Sequence, residues 1–195
     1  MAKVCRKYKI DFILGGAVTG IPFATATAYE IGAPFGFIRK QKHFHAGKKT
    51  FGGQFPRQYK NAAIIDDSST TWGNMKNFLK NCKREGIKIK YVIVMVDMIE
   101  NRQFRKQLRQ YLKRNGLKLI YLTRMKDVME YYYKKKLISK EFLYSVTDFL
   151  TFPKTWIKGS PKVNKFLELY KTGSIWLDKN YCRSIQKYNK IVKFV

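Results

Sequence analysis

The sequence predicts an α/β domain, a parallel sheet flanked by helices, with a small basic C-terminal extension. Three observations carry that prediction. Short apolar runs at Tyr8–Leu14, Ala62–Ile65 and Tyr91–Val96 have the length of strands buried on both faces, and turn residues bound them. Between and after them, Met75–Arg84 and Gln103–Asn115 have the apolar spacing of helices. Strands that alternate with helices form parallel pairs, and such sheets place ligands at the carboxyl ends of their strands.

The chain is organised around Asn61-Ala-Ala-Ile-Ile-Asp-Asp-Ser-Ser-Thr-Thr-Trp-Gly-Asn74. Here an apolar strand stops at Asp66 and Asp67 and enters a small, hydroxyl-rich turn. A strand, loop and helix in that order suit phosphate binding. Thr70 and Thr71 can donate to phosphate oxygens, and the first N–H groups of the following helix favour an anion. The two adjacent carboxylates then need a partner: ribose hydroxyls, or the waters of a magnesium ion bridging a pyrophosphate. On pattern alone, an acidic strand end followed by an ordinary turn fits equally well.

In chain order, Tyr8–Leu14 is the first strand, and Gly15–Gly20 is a glycine-rich loop entering a helix at Ile21-Pro22, where proline fits the first turn. Gly32 ends that helix, and Ala33–Ile38 is the second strand. From residue 39 to residue 57 the chain is basic, contains glycine and lacks periodicity. Arg39, Lys40, Lys42, His43, His45, Lys48 and Lys49 crowd this loop. Lys88–Val96 is a further strand ending at Asp97, Gly116–Leu122 is the last, and Met125–Lys136 and Lys140–Phe149 are helices. Tyr131, Tyr132 and Tyr133 precede Lys134–Lys136, but three consecutive residues point around a helix, so packing is favoured over a stacking site for nucleic acid. Phe152-Pro153 marks a boundary between a core, residues 1–150, and an extension, residues 151–195. In the extension, Ser160-Pro161 starts a helix with an apolar stripe at Val163, Phe166, Leu167 and Tyr170. Ser174–Leu177 reads as a short strand and a basic amphipathic helix follows; docking of the segment on the core through Trp156 and Trp176 is favoured over contact with a polyanion or a partner chain.

Composition sets the outer bounds. With 195 residues, 45% hydrophobic and 15% aromatic, the chain can bury one core of ordinary size plus an appendage, which excludes wholesale disorder. No apolar run is long enough to span a membrane. Lys3, Arg6, Lys7 and Lys9 before Phe12–Ala28 imitate a secretory signal, but Asp11, Pro22 and Gly15-Gly16 interrupt it. Cys5, Cys82 and Cys182 are scattered without metal spacing, as expected in a reducing cytoplasm. The formal charge of +27 sets 40 Lys and Arg against 13 acids. Lysine is spread along the chain, which favours a solvated surface. Weak nucleic-acid binding through that basic surface is the second expectation.

Asp66-Asp-Ser-Ser-Thr-Thr71 after an apolar strand resembles the phosphoribosyl-diphosphate signature of type I phosphoribosyltransferases. Three further stretches in the right order resemble orotate phosphoribosyltransferase: Gly15-Gly-Ala-Val-Thr-Gly-Ile-Pro22, Arg39-Lys-Gln-Lys-His-Phe-His45 and Val94-Met-Val-Asp97. The similarity runs from about Tyr8 to Leu150. It implies Mg²⁺-dependent transfer of phosphoribose from phosphoribosyl diphosphate to a pyrimidine-like base, orotate being first choice, in pyrimidine nucleotide biosynthesis. Asp66 and Asp67 would hold the ribose and, through water, the metal. Ser68, Ser69, Thr70, Thr71, Trp72, Gly73 and Asn74 would hold the 5′-phosphate, with Thr70 also reaching the base. Val18 and Thr19 would contact the diphosphate, with Arg39 and Lys40 beside it. Lys42, His43 and His45 would close over the site, often from the neighbouring subunit, which implies a homodimer.

The sequence departs from that family at several places, among them Asn74, where a small hydroxyl residue is expected, and His43, on which the main loop lysine falls. Glycine is expected where Trp72 stands, since a side chain there would crowd the 5′-phosphate. Arginine is expected after Asp97, where it holds the orotate carboxylate, and this chain has Met98. The family's N-terminal hood over the base has no counterpart. These departures keep two alternatives open: a catalytically silent member of the fold that binds a nucleotide or nucleic acid and regulates, or a subunit that works with a partner.

Overall fold

The computed structural model describes residues 1–38, 51–56, 58–152, 155 and 160–171. They fall into two compact units, Met1–Arg124 and a second that begins at Met125. The first contains helices α1 (Ala2–Lys7), α2 (Gly20–Ile31), α3 (Gly73–Arg84) and α4 (Arg102–Arg114). Its strands are β1 (Phe12–Gly16), β2 (Phe35–Ile38), β3 (Phe51–Gly53), β4 (Ala62–Ser69), β5 (Ile89–Asp97) and β6 (Lys118–Arg124). They form one sheet in the order β3-β2-β1-β4-β5-β6, in which every neighbouring pair is parallel except β2 with β3.

The apolar runs form central strands because both of their faces are covered. Period-two alternation sends Phe12, Leu14, Ala62, Ile64, Val92 and Val94 to one side, where Trp72, Met75, Phe78 and Leu79 around α3 and Leu108 of α4 meet them. Ile13, Ala63, Ile65 and Ile93 face the other side, against Ala24 and Ala28 of α2 and Cys5 of α1. Gly32 ends α2 in the left-handed conformation, with φ of 67°.

Several elements differ from the sequence expectation. The first strand begins at Phe12 rather than Tyr8, because α1 precedes it and Lys9, at φ of 50°, turns the chain. Asp11 then fastens the start of β1 to the start of β4, accepting from the Lys60 and Asn61 N–H groups at 2.7 and 2.8 Å. Within the stretch expected to be loop, Phe51–Gly53 forms an antiparallel edge strand on β2. β4 continues through both aspartates to Ser69 instead of stopping at them, pairing Asp66 with Val94 and Ser69 with Asp97.

The second unit has helices α5 (Met125–Lys134), α6 (Lys140–Thr151) and α7 (Pro161–Lys171). Ser139 caps α6 by accepting from the Phe142 N–H, and Phe142 packs on Phe166 of α7 with ring centroids 5.6 Å apart. Lys162 pairs with Asp148 at 2.8 Å. Tyr131, Tyr132 and Tyr133 are all exposed. Trp156, the Ser174–Leu177 strand, Trp176, Cys182 and the final basic helix lie outside the described residues. No helix among the described residues is long and apolar enough to cross a membrane.

Cys5 and Cys82 are free and buried. Burial pushes the Cys5 thiol up and the Cys82 thiol up to about 12. A thiol that stays protonated in the folded state, but ionises above about 9 once unfolded, lowers stability as pH rises from 9 towards 12. Alkylation at pH 8 with peptide mapping is therefore expected to leave Cys5 and Cys82 unmodified until denaturant is added. Labelling of either in the native protein would contradict their burial.

Candidate active site

Strand order reverses between β1 and β4. The chain leaves β1 for β2 on one side and later returns to place β4 on the other. The loops that follow these two strands therefore part in opposite directions and leave a crevice at their carboxyl ends. A cavity of about 300 Å³ lies there. Ala17 and Thr19 line it from the glycine loop, residues 66–74 from the end of β4 and the turn after it, and Met75, Phe78 and Val94 from α3 and β5.

Alternation along β4 continues through the acidic pair. Asp66 and Asp67 are both half-buried at the mouth of this cavity. Asp66 Oδ1 accepts from the Asp67 N–H at 3.0 Å, and the Asp67 carboxylate accepts from the Thr19 hydroxyl at 3.0 Å. The second bond joins the glycine loop to the acidic pair across 48 residues of sequence.

The glycines of the loop make room for Asp66. A methyl group at Gly20 would stand 2.6 Å from the Ile65 carbonyl oxygen and 2.7 Å from Asp66 Oδ1. One at Gly16 would stand 3.0 Å from Asp66 Oδ2 and 2.9 Å from the Phe78 ring. Gly15 instead lets β1 approach α2, where a methyl would lie 3.0 Å from Ile21 Cα. Of the two residues expected to meet a diphosphate, Thr19 lines the cavity while Val18 is 71% exposed on the same loop.

Beyond the aspartates, Ser68 is half-buried, and Thr70, Thr71, Gly73 and Asn74 are exposed along the turn. α3 opens here without a side-chain cap and without an acid in its first turn. Its first N–H groups and dipole thus face the cavity, an arrangement suited to an anion.

Two residues behave differently from the sequence expectation. Ser69 is buried and donates its hydroxyl to Asp97 Oδ1 at 3.0 Å, so it fastens the base of the turn rather than offering that hydroxyl to a ligand. Trp72 adopts φ of 62°, a left-handed conformation that favours glycine. That conformation sends its ring into the core beside Met75 and Phe78, where it is only 3% exposed. The indole therefore packs in the core, while Trp72 also contributes to the lining of the cavity.

Sequence reasoning missed the anchor behind this turn. Asp97 is fully buried and accepts from Ser69 and from the Ile99 N–H at 3.1 Å, while Arg105 of α4 pairs with it at 2.8 Å. Arg105 also donates to the Ile99 carbonyl. The signal was a charged residue on the inner side of a basic amphipathic helix, four positions after the Asn101 cap. Glu100 pairs with Arg124, which ends β6, at 2.7 Å. Met98, where arginine was expected, is half-buried and donates its N–H to the Ser69 carbonyl at 2.9 Å.

Arg39, Lys40, Lys42, His43 and His45 lie outside the described residues. Ile38, from which that stretch departs, accepts from the Ala17 N–H at 2.9 Å beside the cavity.

No family model matches the chain. Among curated relatives, an orotate phosphoribosyltransferase of Sulfurisphaera tokodaii is 29% identical over 140 residues, 72% of this chain and 68% of that protein. Another from Sulfolobus acidocaldarius is 28% identical over 97 residues, 50% of this chain and 48% of that protein. The transcriptional regulator GfcR 2 of Methanosarcina barkeri is 34% identical over 92 residues, 46% of each chain. The chain thus spans about half the length of several curated relatives that it matches. Among solved structures, UMP synthase of Leishmania donovani superposes with a TM-score of 0.62 at 22% identity, over 76% of this chain and 31% of that one. Orotate phosphoribosyltransferase of Francisella tularensis gives 0.53 at 21%, over 76% and 73%. The chain has the type I phosphoribosyltransferase fold, and its sequence resembles that of orotate phosphoribosyltransferases.

Proposed function

We propose that this protein binds phosphoribosyl diphosphate and transfers its phosphoribosyl group to a pyrimidine-like base, orotate being first choice. The observation that carries the reading is the cavity at the β1/β4 reversal, with an acidic pair on one wall and an uncapped helix start on the other. The 5′-phosphate would lie over residues 68–74, accepting from Thr70, Thr71 and the first N–H groups of α3. Asp66 and Asp67 would accept from the ribose hydroxyls. The diphosphate would extend over Ala17, Val18 and Thr19.

The acidic pair also suits Mg²⁺, which takes hard oxygen ligands and is commonly held by one or two carboxylates plus waters and substrate phosphates. Asp66 and Asp67 would hold it through water, and when bound it would neutralise charge gathering on the diphosphate. In the transfer, the bond from ribose C1 to the diphosphate oxygen breaks and a bond from C1 to a ring nitrogen of the base forms. The diphosphate leaves with its electron pair, and the proton of the base nitrogen passes to solvent or to the leaving group. Asp66 and Asp67 face the ribose, where their negative charge favours the positive character that C1 acquires. Arg39, Lys40, Lys42, His43 and His45 would close over the departing diphosphate and exclude water, a role that rests on the resemblance and on Ile38 standing beside Ala17. A homodimer sharing this loop, in the cytoplasm, completes the proposal.

A second reading is a regulator that binds the same donor without turnover, or a subunit completed by a partner. It is favoured by the relatives named as transcriptional regulators, which match a similar length of this chain, and by Met98 in place of an acceptor-binding arginine. Methionine cannot form a bidentate pair with a carboxylate. Diphosphate release measured with orotate, uracil and other bases separates the readings. Base-dependent release supports the transferase; donor binding without release with any base supports the regulator.

A further inference from the structure

On one face of the sheet, α2 contains no lysine or arginine in its twelve residues, while α1 beside it carries Lys3, Arg6 and Lys7, with Arg6 paired to Glu30 at 2.8 Å. α3 and α4 lie together on the other face, sharing one apolar cluster, with the Lys76 ammonium 5.3 Å from the centre of the Tyr111 ring. Neither helix contains an acidic residue.

On α4, Arg102, Lys106, Arg109 and Lys113 are exposed and follow one another at spacings of four, three and four. On α3, Lys76, Lys80 and Lys83 do the same. Such spacings put each set in one row, with neighbours about 5 Å apart along the axis. The nearest acids in sequence are Glu85, just beyond α3, which pairs loosely with Arg84 at 3.9 Å, and Glu100, just before α4, which pairs with Arg124 at 2.7 Å.

We infer that the outer face of α3 and α4 binds the phosphate backbone of duplex nucleic acid without reading its sequence. Two adjacent cation rows complement a polyanion that carries about one charge per 1.7 Å of axis. Glutamines at 103, 107 and 110 beside the α4 row add neutral donors to phosphate oxygens. Single-strand binding sites rely on exposed aromatic rings for base stacking, and among the described residues neither helix exposes one. The face uses no cavity residue, so this inference and the phosphoribosyl proposal stand or fall separately.

The test is fluorescence anisotropy of a labelled 20-base-pair duplex with the full chain over a series of salt concentrations. Lys106→Gln/Arg109→Gln/Lys113→Gln is compared with Lys3→Gln/Lys7→Gln/Lys60→Gln, which removes the same charge from exposed sites elsewhere. The α4 variant is expected to bind at least tenfold more weakly and to reduce the slope of log K against log salt by about 2.7. The control should stay within about twofold of wild type, and Lys106→Arg/Arg109→Lys/Lys113→Arg should bind like wild type, as phosphate contact requires charge alone. Equal losses in the two Gln variants would overturn the inference, as would tighter binding of a single strand of the same length. Displacement of the duplex by anionic lipid vesicles at matched charge would also overturn it, since the face would then be a membrane surface.

Discussion

Arg105→Met is expected to destabilise the first unit by about 3–5 kcal/mol, because it leaves the fully buried Asp97 carboxylate without its cation. The two remaining donors, the Ser69 hydroxyl and the Ile99 N–H, are neutral and cannot replace a guanidinium 2.8 Å away. For a chain of this size the loss corresponds to a fall in Tm of roughly 10 °C. Thermal unfolding would read it, with Arg109→Gln on the exposed side of the same helix as a control expected to stay within about 0.5 kcal/mol. The double variant Asp97→Asn/Arg105→Met should recover most of the loss, since no buried charge remains unpaired. Arg105→Met at wild-type stability would show that the ion pair is dispensable. The pair matters to function through position: Ser69, tied to Asp97, directly precedes Thr70 and Thr71.

Gly20→Ala is expected to reverse the usual sign of such a change. Alanine replacing glycine inside a helix ordinarily gains up to about 1 kcal/mol, and less at a first helical position such as that of Gly20. Here the new methyl would meet the Ile65 carbonyl at 2.6 Å and Asp66 Cα at 3.0 Å, and backbone cannot swing aside as a flexible side chain can. The resulting displacement should cost roughly 1–3 kcal/mol. It should also move the Asp66 carboxylate and weaken donor binding by about tenfold or more, a loss of about 1.4 kcal/mol. Gly73→Ala, whose methyl would meet only Thr71 Oγ1 at 3.9 Å, should be tolerated in stability. Equal behaviour of the two variants in thermal unfolding would contradict the close packing of α2 on β4.

Much of this arrangement is legible in the sequence, for identifiable reasons. The central strands are apolar on both faces, and no other element offers that pattern at so short a length. α3 and α4 announce themselves by apolar residues on one side and cations on the other. The glycine loop and the acidic pair also meet at one cavity, as their order in the chain suggests, because the strand order places β1 beside β4.

What escaped the sequence was decided by packing or by a single torsion angle. α1 spans six residues and buries only Cys5, too little for a period to emerge. β3 is Phe51-Gly-Gly, which has no strand signature and exists through its pairing with β2. Ser69 looks like another phosphate ligand until the pleat turns it towards Asp97, a partner 28 residues away. Trp72 reads as an obstruction in a phosphate turn, yet its positive φ sends the ring down into the core.

The central claim is that Asp66 and Asp67, at the β1/β4 crevice, form a donor site for phosphoribosyl diphosphate. Isothermal titration of the protein with phosphoribosyl diphosphate, with and without Mg²⁺, tests it most directly, using wild type and Asp66→Asn/Asp67→Asn. Binding that strengthens with Mg²⁺ and falls at least a hundredfold, about 2.7 kcal/mol, in the variant is the predicted result. A folded wild-type protein that takes up no phosphoribosyl diphosphate under either condition would contradict it.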